Sequence, residues 1–447
     1  MRIFIVGAGE VGTHLAEMLS HEQHDIILLD SNPDNLEFAY DNRLEIMPYV
    51  GSPTSFKDLK DAGADRADLF IAVTPEESGN IVACNIATQM GAKKALARIN
   101  SSEYLMPQYR GHFTALGIDD MLYPEELAAA EIVSSLSLPW AKQYWKIFNN
   151  KLALVATRVI KGSPLLGKEL MELSDLSEKV LHILAIVRDN HTIIPRGHDT
   201  IEENDILYVA AKPQDLESVR QFCGQQKLEV HRVIIMGGSR IAIKTAQALP
   251  DDLNIKIIES DYEKCMRLSE MVPENTLVIH GDSRDPDLLI NEGIKKTEAF
   301  LALTSSSESN MLATLNAKRL GVPISVCQIE NLDYIDIANE MKIGNLINKK
   351  LLAASAIFRY LLNIDISSAK TLAIGQGEVL EIKVRENSLV TKRPVVELEI
   401  PSGITFGGIL RNNEVLLVEG KTQINAGDMV MVFSHNASVN DLNKLFG

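Results

Sequence analysis

The segment that most constrains this chain runs from Ile3 to Asp30. An apolar run, Ile3-Phe4-Ile5-Val6, leads straight into Gly7-Ala8-Gly9-Glu10-Val11-Gly12. A helix-patterned stretch follows, and then a second apolar run, Ile26 to Leu29, closed by Asp30. Strand, tight glycine turn, helix N-terminus and second strand come in the order that a dinucleotide requires. Gly7 permits the sharp turn, Gly9 lets backbone approach a pyrophosphate, and Gly12 is expected to let the helix sit close on the sheet. The helix N–H groups and dipole favour phosphates at that point. Asp30 stands 18 residues after Gly12, near the roughly 20 expected of the acid that hydrogen-bonds a ribose diol. Ser31 and Asn32 follow it rather than an arginine, so a 2′-phosphate would meet a negative charge. The expected ligand is NAD or another adenosine compound, not NADP.

The same alternation continues to residue 100. A helical stretch follows Asp30, then a short strand through Ile46 to Val50 with a Gly51-Ser52-Pro53 turn. Next come a helix stopped near Gly63, a strand ending at Thr74, a polar loop from Pro75 to Gly79, a helix from Asn80 to Met90 and the strand Ala95 to Ile99. Strands alternating with helices imply a doubly wound parallel sheet. Thr74, Asn80 and Arg98 then fall at carboxyl ends of strands or at the following helix start, where such sheets bind ligands.

The series recurs at an offset of 230 residues. VIIMGGSRIA aligns with IFIVGAGEVG, and Gly281, Gly293, Phe300, Ala302, Thr304, Asn310, Gly321 and Ile329 repeat Gly51, Gly63, Phe70, Ala72, Thr74, Asn80, Gly91 and Ile99. IDDMLYPEELAAAEI from Ile118 reappears as IGNLINKKLLAASAI from Ile343, at an offset of 225. Such coincidences indicate tandem duplication. Each half closes with strand-rich text, residues 151–212 (including GSPLLGKEL among its segments) and 377–434, with Asp205 and Asp428 in matching places. Alternation with closely spaced turn residues describes a small β-rich lobe. The fold class is therefore α/β: two Rossmann-like N-lobes, each followed by a small β-rich α+β C-lobe. The domains expected are 1–138 and 139–225 for the first N- and C-lobes, and 226–364 and 365–447 for the second.

The repeat breaks at the second glycine loop. Gly237 keeps the turn, but Ser239 replaces the pyrophosphate-facing glycine and Ala242 the packing glycine. Glu259 still closes its strand with an acid, and Arg240 is placed to meet a phosphate directly. This copy is expected to be either packing only or a weaker, different site.

Composition excludes several classes. The chain is 46% hydrophobic and 23% charged, which describes an ordinary folded protein. No window approaches a membrane span and the start enters a nucleotide fold without a cleavable leader, so an intracellular protein is expected. A formal charge of -16 disfavours nucleic acid and anionic lipid and suits a basic protein surface. Cys84, Cys223, Cys265 and Cys327 contain no C-x-x-C and read as core thiols. His21 and His24 form an isolated H-x-x-H without a second pair, and His182, His191 and His198 look like ordinary strand residues. A dehydrogenase would need a substrate domain with a positioned acid or base. The lobes offer no such constellation, which leaves an NAD-dependent oxidoreductase as the alternative reading. A DNA-binding repressor would need a basic recognition helix that the sequence lacks.

Two nucleotide folds, each followed by a β-rich lobe, with VGAGEVG, Asp30, FIAVTPEESGN and ALARI in the first copy, closely resemble the bacterial TrkA family of potassium-uptake proteins over nearly the whole chain. The resemblance implies a non-enzymatic cytosolic regulator of potassium conductance built from RCK (KTN) domains, peripheral on the inner face of the cell membrane. It implies a ring, typically a homotetramer, beneath a TrkH-like or TrkG-like potassium translocation subunit, with NAD(H) and ATP or ADP on the N-lobes. By the same resemblance the nucleotide residues are Gly7, Gly9, Gly12, Asp30, Thr74 and Arg98.

Overall fold

The structure is a computed structural model that describes residues 1–20, 24–40, 45–172, 180–189, 191–358, 360, 365–371, 377–435 and 439–447. It divides into two compact units, residues 1–127 with 349–361, and residues 128–348 with 362–447.

In the first unit β1 (Arg2–Val6), α1 (Glu10–Ser20), β2 (Asp25–Asp30), β3 (Ile46–Val50), α2 (Phe56–Asp61), β4 (Leu69–Ala72), α3 (Glu77–Met90), β5 (Ala95–Arg98), α4 (Pro107–Ala115) and β6 (Asp120–Leu122) follow in turn. The strands form one parallel sheet in the order β3-β2-β1-β4-β5-β6. The chain runs outward from β1 in one direction and then the other. The switch point therefore lies between β1 and β4, where Val6 pairs with both Leu29 and Ala72. Phe4 stacks on Phe70 across the sheet face, with centroids 5.2 Å apart. Three local expectations are refined. The stretch after Asp30 is a 3-10 helix, Pro33–Tyr40. Helix α3 begins at Glu77 rather than Asn80, because the Glu76 carboxylate accepts hydrogen bonds from the Ser78 and Gly79 N–H groups and caps the helix three residues earlier. Strand β4 likewise stops at Ala72, since Thr74 N–H turns away to the Asn80 side chain. A helix from late in the chain, Lys349–Phe358, packs on α1 with Ala353 and Ala354 fully buried. The small residues around Ala354 let the two backbones approach.

The linking helix α5 (Pro124–Ser137) leads into the second unit, which opens with β7 (Gln143–Ile147), β8 (Leu152–Arg158), β9 (Leu181–Arg188), β10 (His191–Ile193), β11 (Ile206–Ala211) and α6 (Leu216–Phe222). Their antiparallel sheet runs β10-β9-β11-β8-β7. Strand β7 precedes residues 151–212, the segment expected to be strand-rich, and lies within the 139–225 expected for the lobe. GSPLLGKEL, expected among its strand-rich segments, makes turns and a single bridge from Glu169 to Thr200, as its paired glycines and proline favour. The second parallel sheet contains β12 (Arg232–Met236), α7 (Arg240–Ala248), β13 (Asn254–Glu259), α8 (Tyr262–Met271), β14 (Thr276–His280), α9 (Pro286–Asn291), β15 (Ala299–Ala302), α10 (Ser307–Arg319), β16 (Ile324–Gln328), α11 (Tyr334–Glu340) and β17 (Asn345–Ile347). Its order, β14-β13-β12-β15-β16-β17, repeats the first. The last sheet, β18-β19-β22-β20-β21, is built from β18 (Asp365–Thr371), β19 (Glu378–Lys383), β20 (Ile404–Arg411), β21 (Glu414–Leu417) and β22 (Met429–Ser434).

The two antiparallel lobes share one core. Tyr208 lies between Trp145 and Phe433, with centroids 6.1 Å and 5.6 Å away, and its hydroxyl donates to Gln143 Oε1 at 2.9 Å. The matching aspartates have matching work. Arg188 Nε and Nη2 donate to Asp205 at 2.8 and 2.7 Å, and Arg411 makes the same fork to Asp428 at 2.9 and 2.7 Å. Both carboxylates are buried and also accept a loop N–H, from Glu202 and Asn425 respectively. These are anchors of the lobes, not a reactive pair.

Candidate functional site

The first glycine loop is shaped by three different demands. Gly7 has φ +98, its N–H donates to the Leu29 carbonyl at 2.8 Å, and a Cβ there would come within 2.9 Å of Thr74 N. At Gly12 a Cβ would stand 1.8 Å from the Gly7 carbonyl oxygen. The chief constraint on Gly12 is thus the loop's own carbonyl, not the sheet as expected. Gly9 is the opposite case, since a Cβ there would meet nothing within 4 Å. It precedes the first turn of α1 without a side chain, leaving Glu10 exposed and the helix N–H groups of Val11 and Gly12 uncapped by any side chain of the loop.

Asp30 ties this loop to the end of β2. One carboxylate oxygen accepts from Ala8 N at 2.7 Å, and the other accepts from Asn32 N at 2.8 Å and Asn35 Nδ2 at 3.3 Å. Across the switch point, Asn80 is buried and clamps two strand ends. Its Oδ1 accepts from Thr74 N at 3.0 Å and Thr74 Oγ1 at 2.7 Å, while its Nδ2 donates to the carbonyls of Thr74 and Arg98, both at 2.9 Å. The second copy repeats this clamp with Thr304, Asn310 and Gln328. Asn80 is therefore a fold element, and the Thr74 hydroxyl is engaged with it.

Arg98 ends β5 with its Nη2 3.6 Å from Glu125 Oε1, both side chains largely buried. Arg98 Nε and Glu125 Oε2 have no hydrogen-bond partner although both atoms are buried. Unused polar capacity at a strand's carboxyl end, on the same sheet edge as the glycine loop, fits a phosphate-bearing nucleotide. Glu125 was missed from sequence. Its only signal is the repeat itself, which carries Gln328 for Arg98 and Lys350 for Glu125.

The second loop is closed on itself. Gly237 keeps φ +89 and donates to the Ile258 carbonyl at 2.8 Å. Ser239 Oγ accepts from Ala242 N at 3.3 Å, capping α7 and occupying an N–H that the first loop leaves open. A Cβ at Gly238, the position of Ala8, would strike Leu268 Cδ1 at 2.1 Å, so Leu268 on α8 takes the place of the buried Ala8 methyl of the first loop. Glu259 accepts from Gly238 N at 2.8 Å, from Ser260 and Asp261 N, and pairs with Lys264 at 2.6 Å. Burial pushes its carboxyl up, but Lys264 and these backbone donors outweigh that and hold it down at about 2. Arg240 is exposed on the first turn of α7. Sequence reasoning missed Lys264 and Leu268, which reveal their roles only once α8 is packed.

The remaining candidates are inert. All four cysteines are buried and unpaired, and burial pushes the Cys223 and Cys327 thiols up to about 12. His21 lies outside the described residues. His24 precedes β2, and no group of three or more metal-ligating side chains occurs among the described residues. His182 and His191 are strand residues, as expected, whereas His198 lies in an exposed turn against Glu169 at 3.3 Å.

A tandem pair of dinucleotide-type sheets, each followed by an antiparallel lobe, is a doubled RCK-type fold. The TrkA-N domain model matches residues 3–124 and 233–349, and the TrkA-C domain model matches 154–224 and 379–447. The Trk system potassium uptake protein TrkA of Haemophilus influenzae is 33% identical over 460 residues, covering 100% of this chain and 98% of its own. A TrkA homolog of Archaeoglobus fulgidus is 31% identical with 100% of both chains covered. Among solved structures, the GsuK RCK domain superposes with TM-score 0.61 at 14% identity, over 100% of this chain and 94% of that one. The GsuK channel bound to NAD superposes with TM-score 0.61 at 15% identity, over 99% and 78%. At that identity these two show the fold. The chain belongs to the Trk system potassium uptake protein TrkA family, whose members are regulatory subunits of potassium transport rather than enzymes. Among the described residues no helix is long and apolar enough to cross a membrane.

Proposed function

We propose that this chain senses a nucleotide in its first N-lobe and passes the resulting conformational preference to a membrane potassium translocation subunit of TrkH or TrkG type. The observation that carries the reading is the first loop, with nothing within 4 Å of a Cβ built on Gly9, opposite an Asp30 already oriented by Ala8 N. NAD(H) is the ligand this geometry favours, with ATP or ADP as competitors. Residues Gly7, Ala8, Gly9, Glu10, Val11 and Gly12 would hold the pyrophosphate against α1, Asp30 the adenosine ribose, and Thr74 and Arg98 the far half. Gly237, Ser239, Arg240 and Glu259 form a second site of lower affinity, because the Ser239 hydroxyl already takes one of its helix N–H groups. The working assembly is a homotetrameric ring on the cytoplasmic face, with lobes 1–138, 139–225, 226–364 and 365–447, and its net charge of -16 suits the basic cytoplasmic loops of a membrane partner. Nucleic acid is not a partner.

No chemical step is needed. A ligand biases gating only through its difference in affinity between the two arrangements of the lobes. Calorimetric titration with NADH, NAD, ATP and ADP in turn tests the reading, with Gly9→Trp expected to fold normally and lose the tight class of site. Potassium uptake by cells carrying Gly9→Trp should lose its nucleotide dependence while the protein still reaches the membrane. Steady NADH oxidation with a small-molecule panel, abolished by Gly9→Trp, would instead favour an oxidoreductase.

A further inference from the structure

The second unit brings four cations together without an acid. Lys142 immediately precedes β7 and its N–H donates to the Ala156 carbonyl, two residues from Arg158 at the end of β8. Lys318 is in the last turn of α10, and its ammonium donates to the carbonyl of Lys342, in the turn before β17. Helix α5 joins these elements, since Ser134 Oγ donates to the Tyr144 carbonyl at 2.6 Å and Ser135 Oγ accepts from Asn345 Nδ2. Arg158 Nη1 donates to the Asn204 carbonyl at 3.1 Å. None of the four has a carboxylate partner among the described residues, in a chain where 60 acidic residues outnumber 44 basic ones.

The first copy lacks the two lysines that the second parallel sheet contributes. The first copy carries Thr88 where the second has Lys318, and Gly117 where it has Lys342. Gly117 has φ +83, and a Cβ there would lie 2.4 Å from Thr88 Oγ1. Lys342 has kept a left-handed backbone at φ +52, a conformation that favours glycine, while adding a long cationic side chain. Both lysines lie at the amino edge of the parallel sheet, since α10 runs back from the carboxyl end of β15 and Lys342 leads into β17. The glycine loop opens at the opposite edge.

We propose that Lys142, Arg158, Lys318 and Lys342 form an anion site for a compact polyphosphate group, separate from both glycine-loop crevices. Several positive charges converging on one half-buried lysine suit a multivalent oxyanion, whose oxygens can meet more than one of them at once. A single carboxylate would leave most of that charge uncompensated. Burial, and then the neighbouring Arg158, Lys318 and Lys342, pull the Lys142 ammonium down to about 8. The charged groups facing it, from β8, α10 and the turn before β17, are all cations, so a bound anion reverses the shift and takes up a proton.

Titration calorimetry of the full-length Gly9→Trp chain with inorganic pyrophosphate, in buffers of different ionisation enthalpy, tests this with the first loop blocked. Binding with proton uptake is expected, weakening by roughly tenfold between pH 7 and pH 9 as Lys142 loses its proton. Adding Lys142→Met, or adding Lys342→Gly, which relieves the left-handed backbone and so preserves the fold, should each weaken binding by at least roughly tenfold. Tighter binding of ADP than of pyrophosphate, itself weakened by Lys142→Met, would identify nucleotide-borne phosphate as the source, and equal binding a free polyphosphate. No pyrophosphate binding to the Gly9→Trp chain, or undiminished binding after Lys142→Met and Lys342→Gly, would overturn the proposal.

Discussion

The two glycine loops of this protein make the same turn and spend their helix N–H groups differently. At the first, Gly7 turns at φ +98 and Gly9 presents bare backbone to open space. At the second, Gly237 turns at φ +89, but the Ser239 hydroxyl caps the helix. A helix N-terminus binds an anion only while its donors are unsatisfied. One hydroxyl therefore satisfies within the protein a donor that the first loop leaves open, without disturbing the sheet beneath.

The sharpest way to break this comparison is Gly12→Val. Its Cβ would stand 1.8 Å from the Gly7 carbonyl, so we expect a loss of about 3 kcal/mol or more in chemical denaturation and loss of NADH binding. The equivalent Ala242 already carries a Cβ, and Ala242→Gly should cost only about 1 kcal/mol as a helix effect. Near-equal costs at the two positions would mean the loops do not differ in backbone geometry.

Next in size is an acid-sensitivity assigned to the second loop. The Glu259 carboxyl titrates at about 2 when folded against an ordinary 4.5, so its contribution is fully present above pH 4.5 and is lost as pH falls toward 2. Thermal unfolding followed across that window should show a loss of up to about 3 kcal/mol, flattened by Glu259→Gln. An identical acid profile for the variant would remove Glu259 as the cause.

Asp30→Ala should weaken adenosine-ribose binding by about 1.5–3 kcal/mol, as for a charge-assisted hydrogen bond, in a chain that still folds. Unchanged NADH affinity would place the ribose elsewhere. The smallest effect belongs to Ser239→Ala, which should cost about 1 kcal/mol of stability for the lost cap and leave the tight class of nucleotide site untouched. A large change in tight binding on Ser239→Ala would contradict the assignment of that class to the first loop.

The duplicated α/β architecture was readable because period, glycine spacing and the repeated offset all report local backbone demands. The parallel, doubly wound character of the sheets followed from alternation, and Asp30 and the Gly7–Gly12 turn were legible as one unit. What misled was local competition. The Glu76 cap moved the start of α3, GSPLLGKEL became turns, and β7 was overlooked because QYWKI lies outside the segment that alternates most clearly. Asn80 looked like a ligand residue from its position, yet its side chain is wholly engaged by the ends of β4 and β5.

By itself the sequence determined where the backbone can turn, which faces are apolar and that the unit occurs twice, since these depend on neighbours within a few residues. Tertiary structure alone decided which polar atoms remain unspent. Arg98 meets Glu125 across 27 positions, Leu268 reaches Gly238 across 30, and the Lys318 ammonium reaches the Lys342 carbonyl across 24. Whether a donor is free or satisfied depends on what packing brings within about 3 Å of it, and no spacing along the chain encodes that distance.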